Sequence, residues 1–310
     1  MNTTCSTLLL ALLAAAIPGC RSTAPDPPSE PAAARATREL SAEEQALLEA
    51  YGKGGEEWDR ARARALLDPE LERFLIDRLV LEMVRAYEGI ARPGGETASA
   101  EFDRAQAELV RLGERSAPVL AGLLALSDGG GASLAARTLE RIGRPGIEAV
   151  LPLTGATPVR TRLRAAEVLE RLPHAGGREA QVRAALTSLA LDDPDWTVRA
   201  QAARSLGERG SRDRLTEPAR RTLERVLSDP DPAVSEAAAV GLARLGDPLA
   251  VPALIERLAL AVEQGDLRAV RACQGALRTV TQDPRERDLE GWQRWWYEHR
   301  DEIQRSQGPR

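Results

Sequence analysis

From about residue 100 onward, small and apolar positions fall in a five-residue pattern that opens with two small residues and closes on a leucine. The clear copies are Ala135-Ala136-Arg137-Thr138-Leu139, Ala165-Ala166-Glu167-Val168-Leu169, Ala202-Ala203-Arg204-Ser205-Leu206 and Ala238-Ala239-Val240-Gly241-Leu242. Weaker copies run from Ala105 to Leu109 and from Cys273 to Leu277. Four residues beyond the leucine stand Gly113, Gly143, Pro173, Gly210 and Gly246, residue types that end helices. The closing leucines 109, 139, 169, 206, 242 and 277 are separated by 30, 30, 37, 36 and 35 residues, the length of one helical hairpin. Ahead of two copies lie Asp193-Pro194-Asp195 and Asp229-Pro230-Asp231-Pro232, where Asp caps the next helix and Pro starts it. A partner helix precedes the motif helix, visible in the apolar spacing of Ala117 to Leu124, Ile147 to Leu153, Leu223 to Leu227 and Val251 to Leu258. Paired alanines let neighbouring helices approach closely and the leucine fills the groove between hairpins. No single hairpin buries its apolar faces, so stacking them makes one core: an all-α solenoid.

Both ends of this array have their own pattern. Residues 40 to 66 and 68 to 90 are predicted as two further helices, the second starting at Pro69 with Leu71, Phe74, Leu75, Leu79 and Val80 at helical spacing. A last helix carries Trp292, Trp295 and Trp296 after Thr281-Gln282-Asp283-Pro284 and is expected to cover the apolar face of the final hairpin. Leu8 to Ile17 is a run of ten apolar residues, too short to span a bilayer and suited to a signal-peptide core. Residues 21 to 38 contain four prolines and no apolar periodicity, which predicts an extended tether. At about 3.1 Å per residue it would hold the folded part on the order of 50 Å from its attachment point.

Two resemblances follow from these residues. The run Ile17-Pro18-Gly19-Cys20 resembles the lipobox of bacterial lipoproteins, with an aliphatic residue three before the cysteine and a small one directly before it. That resemblance implies diacylglycerol on the Cys20 sulfur, cleavage after Gly19 and a lipid-anchored place in the cell envelope; Arg21 resembles the sorting residue of outer-membrane lipoproteins, facing the periplasm. The stretch Gly246-Asp247-Pro248-Leu249-Ala250-Val251-Pro252-Ala253-Leu254-Ile255, with Asp193-Pro194-Asp195-Trp196-Thr197-Val198-Arg199, resembles HEAT repeats of the short bacterial type over roughly residues 100 to 282. This implies a scaffold whose second helices line a concave surface. The chain is accordingly divided into a signal peptide at 1–19, a lipid anchor and tether at 20–39, a helical cap at 40–99, the repeat array at 100–282 and a Trp-rich capping helix at 283–310.

Composition narrows the function. Lys53 is the only lysine among 42 basic residues, and the formal net charge of −5 argues against a nucleic-acid partner. With Cys5 in the leader and Cys20 lipidated, Cys273 is left without a disulfide partner and stands where other repeats have alanine, so a small buried side chain is its expected role. His174 and His299 are the only histidines, and neither belongs to an HExxH pattern. No GxSxG, phosphate loop or metal-spaced cysteine pair occurs, and Asp128-Gly129-Gly130-Gly131 reads as a flexible hairpin turn. The expectation is a protein that is not an enzyme and uses no cofactor or metal.

Helical geometry singles out a different feature. Five before, two before and two after each closing leucine are expected to point away from the Ala-Leu stripe. Among these eighteen positions eight are arginine: Arg104, Arg111, Arg137, Arg141, Arg164, Arg171, Arg204 and Arg244. Together with the HEAT resemblance they predict an Arg-lined groove for a protein segment or an anionic envelope polymer. A solvated helix face is the plainer reading of the same residues, and a purely structural accessory subunit of an envelope complex is the alternative function. Arg199, four residues after Asp195, is assigned to a structural contact with that turn carboxylate.

Cys20→Ser is expected to release the protein from the membrane fraction while its helical circular dichroism stays unchanged. A Ser variant that still carries the parent's lipid mass would remove the anchor assignment.

Overall fold

The computed structural model describes residues 39–90, 96–127, 129–172, 177–213 and 216–306. Cys20 with its lipobox-like run, the tether up to residue 38, Asp128, Pro173 and His174 lie outside the described residues. These hold fifteen α-helices and no strand. No described helix is long and apolar enough to cross a membrane. The chain divides into two compact units, Met1–Ala149 and Val150–Arg310.

The first unit contains α1 (Ala42–Lys53), α2 (Gly55–Ala65), α3 (Pro69–Ile90), α4 (Glu96–Leu112), α5 (Ala117–Leu126), α6 (Gly130–Ile142) and most of α7 (Arg144–Val150). Ser41 opens α1 through a capping box: its hydroxyl accepts from the Glu44 amide at 3.1 Å, and the Glu44 carboxylate accepts from the Ser41 amide at 2.8 Å. The single helix expected over 40–66 is broken at Gly54, which adopts φ +72° between α1 and α2. A side chain is strained in that conformation, and the bend brings the buried rings of Tyr51 and Trp58 edge to face at 4.9 Å. The triple glycine also differs from expectation. Gly130 and Gly131 lie in the first turn of α6, and a Cβ on Gly131 would fall 2.3 Å from the Ser127 hydroxyl oxygen.

The second unit opens with a 3₁₀ turn, Leu151–Gly155, followed by α8 (Val159–Arg171), α9 (Glu179–Asp192), α10 (Trp196–Arg212), α11 (Thr216–Val226) and α12 (Pro232–Leu245). A second 3₁₀ turn, Pro248–Ala250, leads into α13 (Val251–Gln264), α14 (Leu267–Thr281) and α15 (Leu289–Ser306). The motif helices α8, α10, α12 and α14 pack side by side in that order, and α9, α11 and α13 cover α10, α12 and α14 in turn. Asp195, Asp231 and Asp266 cap α10, α12 and α14, each accepting backbone amides of the first turn.

Sequence spacing predicts the core well. All six closing leucines are at most 1% exposed. Each such burial contributes roughly 1.5–3 kcal/mol. Cys273 is buried, and burial pushes its thiol up to about 11, which suits a packing role. Trp292 and Trp295 are buried where α15 packs on α13 and the second 3₁₀ turn.

One expected helix end is absent. Gly210 is buried inside α10, which continues to Arg212. The side chains of that last turn hold it: Arg209 donates to the Leu172 carbonyl and pairs with Asp213 at 3.0 Å, and Arg212 donates to the Glu170 carbonyl at 2.6 Å. These contacts offset the weak helix preference of glycine, about 1 kcal/mol relative to alanine.

Helices α10 and α12 cross on glycines. A Cβ on Gly207 would lie 2.5 Å from the Gly241 Cα, and one on Gly241 would lie 2.7 Å from the Ala203 carbonyl oxygen. Gly207→Ala is therefore expected to destabilise the protein by about 1–3 kcal/mol through overpacking. Gly275, inside α14 with nothing within 4 Å of its Cβ position, provides the opposite case. Gly275→Ala is expected to gain roughly 0.5–1 kcal/mol from helix propensity. A Gly207→Ala denaturant midpoint that rises along with that of Gly275→Ala would refute the close crossing.

Candidate binding surface

Arginine does two different jobs on the motif helices. The first is structural. Arg162 near the start of α8 grips Asp193 with two hydrogen bonds of 2.6 and 2.8 Å and donates to the carbonyls of Ala156 and Thr157 at 2.9 and 2.8 Å. Arg199 near the start of α10 repeats the arrangement, with 2.8 and 3.0 Å to Asp229 and 2.9 Å to the Asp193 carbonyl. Each guanidinium therefore ties its own turn to the next one. Asp193 and Asp229 also accept the amides of Asp195 and Asp231 at 2.9 Å, so each carboxylate is aligned before the arginine arrives.

This corrects the partner assigned to Arg199. The residue is structural, but its carboxylate is Asp229 of the following repeat, because Asp195 is occupied as the cap of α10 by the Thr197 amide at 2.9 Å. Arg162 escaped the sequence reading altogether. The available signal was its register, seven residues before the closing leucine, the place that Arg199 occupies one repeat later.

The second job is on the solvent side, where the eight predicted arginines separate by register. Position five before the leucine is not outward. Leu134 and Ala237 there are 1% and 2% exposed, while Arg104 and Arg164 are only half-buried. The cause is lateral packing: this position adjoins the flank on which the neighbouring motif helix lies, as α12 lies on α10. Arg104 is drawn onto α1, where its guanidinium stacks 4.1 Å from the Tyr51 ring centre and donates to the Tyr51 carbonyl. Burial, then the neighbouring Arg160, pulls the Arg164 guanidinium below its ordinary value.

The other two positions do face solvent. In the first unit Arg111, Arg137 and Arg141 are exposed on α4 and α6. Arg111 lies 3.4 Å from Glu108 and 3.5 Å from Asp59, and Arg141 donates to Gln106. In the second unit Arg171 and Arg244 are exposed and Arg204 half-buried. Arg204 donates to Gln201 of its own helix at 3.2 Å, and Arg244 stands 4.0 Å from Glu208. The carboxylates beside Arg111 and Arg244 are distant, and Arg141 and Arg204 donate to neutral amides, so these four keep most of their positive charge toward solvent. Val240, two before its leucine on α12, adds an apolar spot beside Arg244 on the same helix face.

Material for chemistry is sparse among the described residues. His299 stacks on Trp295 at 4.3 Å and donates from Nδ1 to the Trp295 carbonyl at 2.7 Å, a local helix contact. No described group of three His, Cys, Asp or Glu side chains is arranged to hold a metal ion. An open pocket of about 430 Å³ between α3 and α4 is lined by Arg78, Glu82, Arg85 and Glu101 over a floor of Ala86, Gly89 and Ala98. Burial raises the Glu82 carboxyl, opposed first by the Tyr51 hydroxyl and then by the charges of Arg78 and Arg104.

Stacked two-helix repeats with buried Ala-Leu motifs define the fold class. The family model described as HEAT repeats matches residues 116–207 and 183–273, just over half of the chain, and the chain belongs to that family. No curated protein matches it. A crystal structure of an engineered protein is similar at 21% identity over 67% of this chain and 96% of that one, with a TM-score of 0.40.

Asp229→Ala is expected to lose about 1.5–3 kcal/mol, because it leaves Arg199 without its carboxylate inside the inter-repeat turn. Thermal or denaturant unfolding measures it. A loss below about 0.5 kcal/mol would show that the ladder does not couple these repeats.

Proposed function

We propose that this HEAT-repeat protein is a non-catalytic scaffold, tethered to a cell-envelope membrane through Cys20, that holds acidic protein segments on the outward arginines of its motif helices. A repeat array supplies binding area rather than convergent catalytic groups. The observation that carries the reading is the register two residues beyond the closing leucine. Arg111, Arg141, Arg171 and Arg244 occupy it in four of six repeats, all exposed, with Glu208 the one acid. Val240 and the small residues Ala107 and Gly275, two before the leucine in other repeats, favour a protein segment over a polymer of uniform charge.

The test replaces Arg137, Arg141, Arg171 and Arg244 together by Gln, which keeps helix propensity close to unchanged. The probe is a fluorescent glutamate-rich peptide, titrated by anisotropy at rising salt. The parent is expected to bind and to weaken as salt shortens the Debye length below about 10 Å, and the variant to bind weakly at every salt concentration. Equal affinity of the two proteins at low salt would reduce these arginines to a solvated face.

A further inference from the structure

We infer that the edge formed by the N-terminal ends of α8, α10, α12 and α14 is a second docking surface, one that takes a basic, apolar peptide segment. Ten residues before each closing leucine, at the first position of each of these helices, stand Val159, Trp196, Pro232 and Leu267. All four are exposed, Trp196 at 48% and Leu267 at 68%. The same register in the first unit holds Ser99 and Gly129, so the apolar row belongs to the second unit alone.

Three cross-links align the four helix ends. Arg162 of α8 holds Asp193 in the turn before α10, Arg199 of α10 holds Asp229 in the turn before α12, and Arg268 of α14 pairs with Glu236 in the first turns of α12. The apolar residues therefore follow one another along a line, one per helix, at the roughly 8–10 Å spacing of packed helices.

Charge selects the occupant. Directly before three of the four residues lie the capping carboxylates Asp195, Asp231 and Asp266. Each spends Oδ1 on backbone amides of its helix. The Oδ2 of Asp266 has Arg257 only at 3.9 Å. The Thr197 hydroxyl holds the Asp195 carboxyl below its ordinary value, so it stays ionised. The cations at this edge are already engaged, Arg162, Arg199 and Arg268 with Asp193, Asp229 and Glu236 and Arg257 with the Leu227 carbonyl and the Ser235 hydroxyl, and Arg160 stands only at the α8 end. What the edge offers is thus an alternation of apolar side chain and carboxylate, and its complement is a segment that alternates apolar and basic residues.

Trp196 reports on its own surface. Trp58, Trp292 and Trp295 are buried and Trp296 half-buried, which leaves Trp196 as the exposed tryptophan among the described residues. The full chain is titrated with a ten-residue peptide of alternating leucine and arginine, and with Ser-Arg and Leu-Gln peptides of equal length. The Leu-Arg peptide is expected to shift Trp196 emission to the blue, with each of the other two binding at least about tenfold more weakly. Replacing Asp195, Asp231 and Asp266 together by Asn keeps the caps while removing three charges, and should weaken binding about tenfold. A Trp196→Ser, Leu267→Ser variant, followed by anisotropy of a labelled peptide, should do the same. Replacing the exposed Glu43, Glu49 and Glu88 by Gln removes the same charge elsewhere and should leave affinity within about twofold. The proposal is overturned if the Leu-Arg peptide does not bind, if the Asn variant binds as well as the parent, or if the two triple variants weaken binding equally. The four-arginine Gln variant is expected to bind this peptide normally, so the fate of the acidic-segment reading is decided separately.

Discussion

The structure depends on how closely motif helices approach one another along their sides. Alanine pairs on α8, α10 and α12 and the small buried Cys273 on α14 remove the bulk that would hold these helices apart, and at Gly207 and Gly241 even a methyl group has no room. Close approach lets each closing leucine be enclosed by its own hairpin and its neighbour. It also decides which flank of a motif helix is left for solvent, and hence which arginines are available. Leu134 and Ala237 are buried, and Arg104 turns onto α1, for this reason.

Arginine content alone says little in such a chain, since the same side chain serves unrelated ends. Arg162 and Arg199 fix the spacing of consecutive turns, Arg209 and Arg212 extend α10 past a glycine, and Arg137 faces water. The distinction lies in where the planar fork finds acceptors. Carbonyls left over at a turn, together with a carboxylate already oriented by a backbone amide, immobilise it. On the middle of a helix face no such acceptors exist, because the carbonyls are spent within the helix.

Much of the fold was legible in the sequence because its signal is local and repeated. Ala-Ala followed by Leu specifies a buried stripe wherever it recurs, and the six leucines are all buried. What could not be read was tertiary. Asp229 lies thirty residues from Arg199, while Asp195 at helical spacing looked like the obvious partner and had already been taken by Thr197. A helical wheel likewise treats both flanks of the motif helix alike, whereas the row of neighbours buries one of them. The glycines at 52, 54 and 55 carried the information for the α1–α2 break, but a helix tolerates isolated glycines and only the positive φ of Gly54 and Gly55 separates them from Gly52. The outward arginines at two registers were legible, and the apolar edge was not, since Val159, Trp196, Pro232 and Leu267 share no chemistry beyond being apolar.

The Gly207–Gly241 crossing has a consequence for how the second unit comes apart. In a quasi-one-dimensional array cooperativity is carried by the interfaces between neighbours rather than by the repeats themselves. An interface in which two backbones touch cannot slip by a rotamer change, so α10 and α12 open together or stay closed. Amide hydrogens in their central turns would accordingly exchange with solvent by the largest opening event available to the unit, while α15 exchanges through smaller fraying at its edge. The pair would then act as the slowest-opening element of the second unit, and partial unfolding would begin away from it.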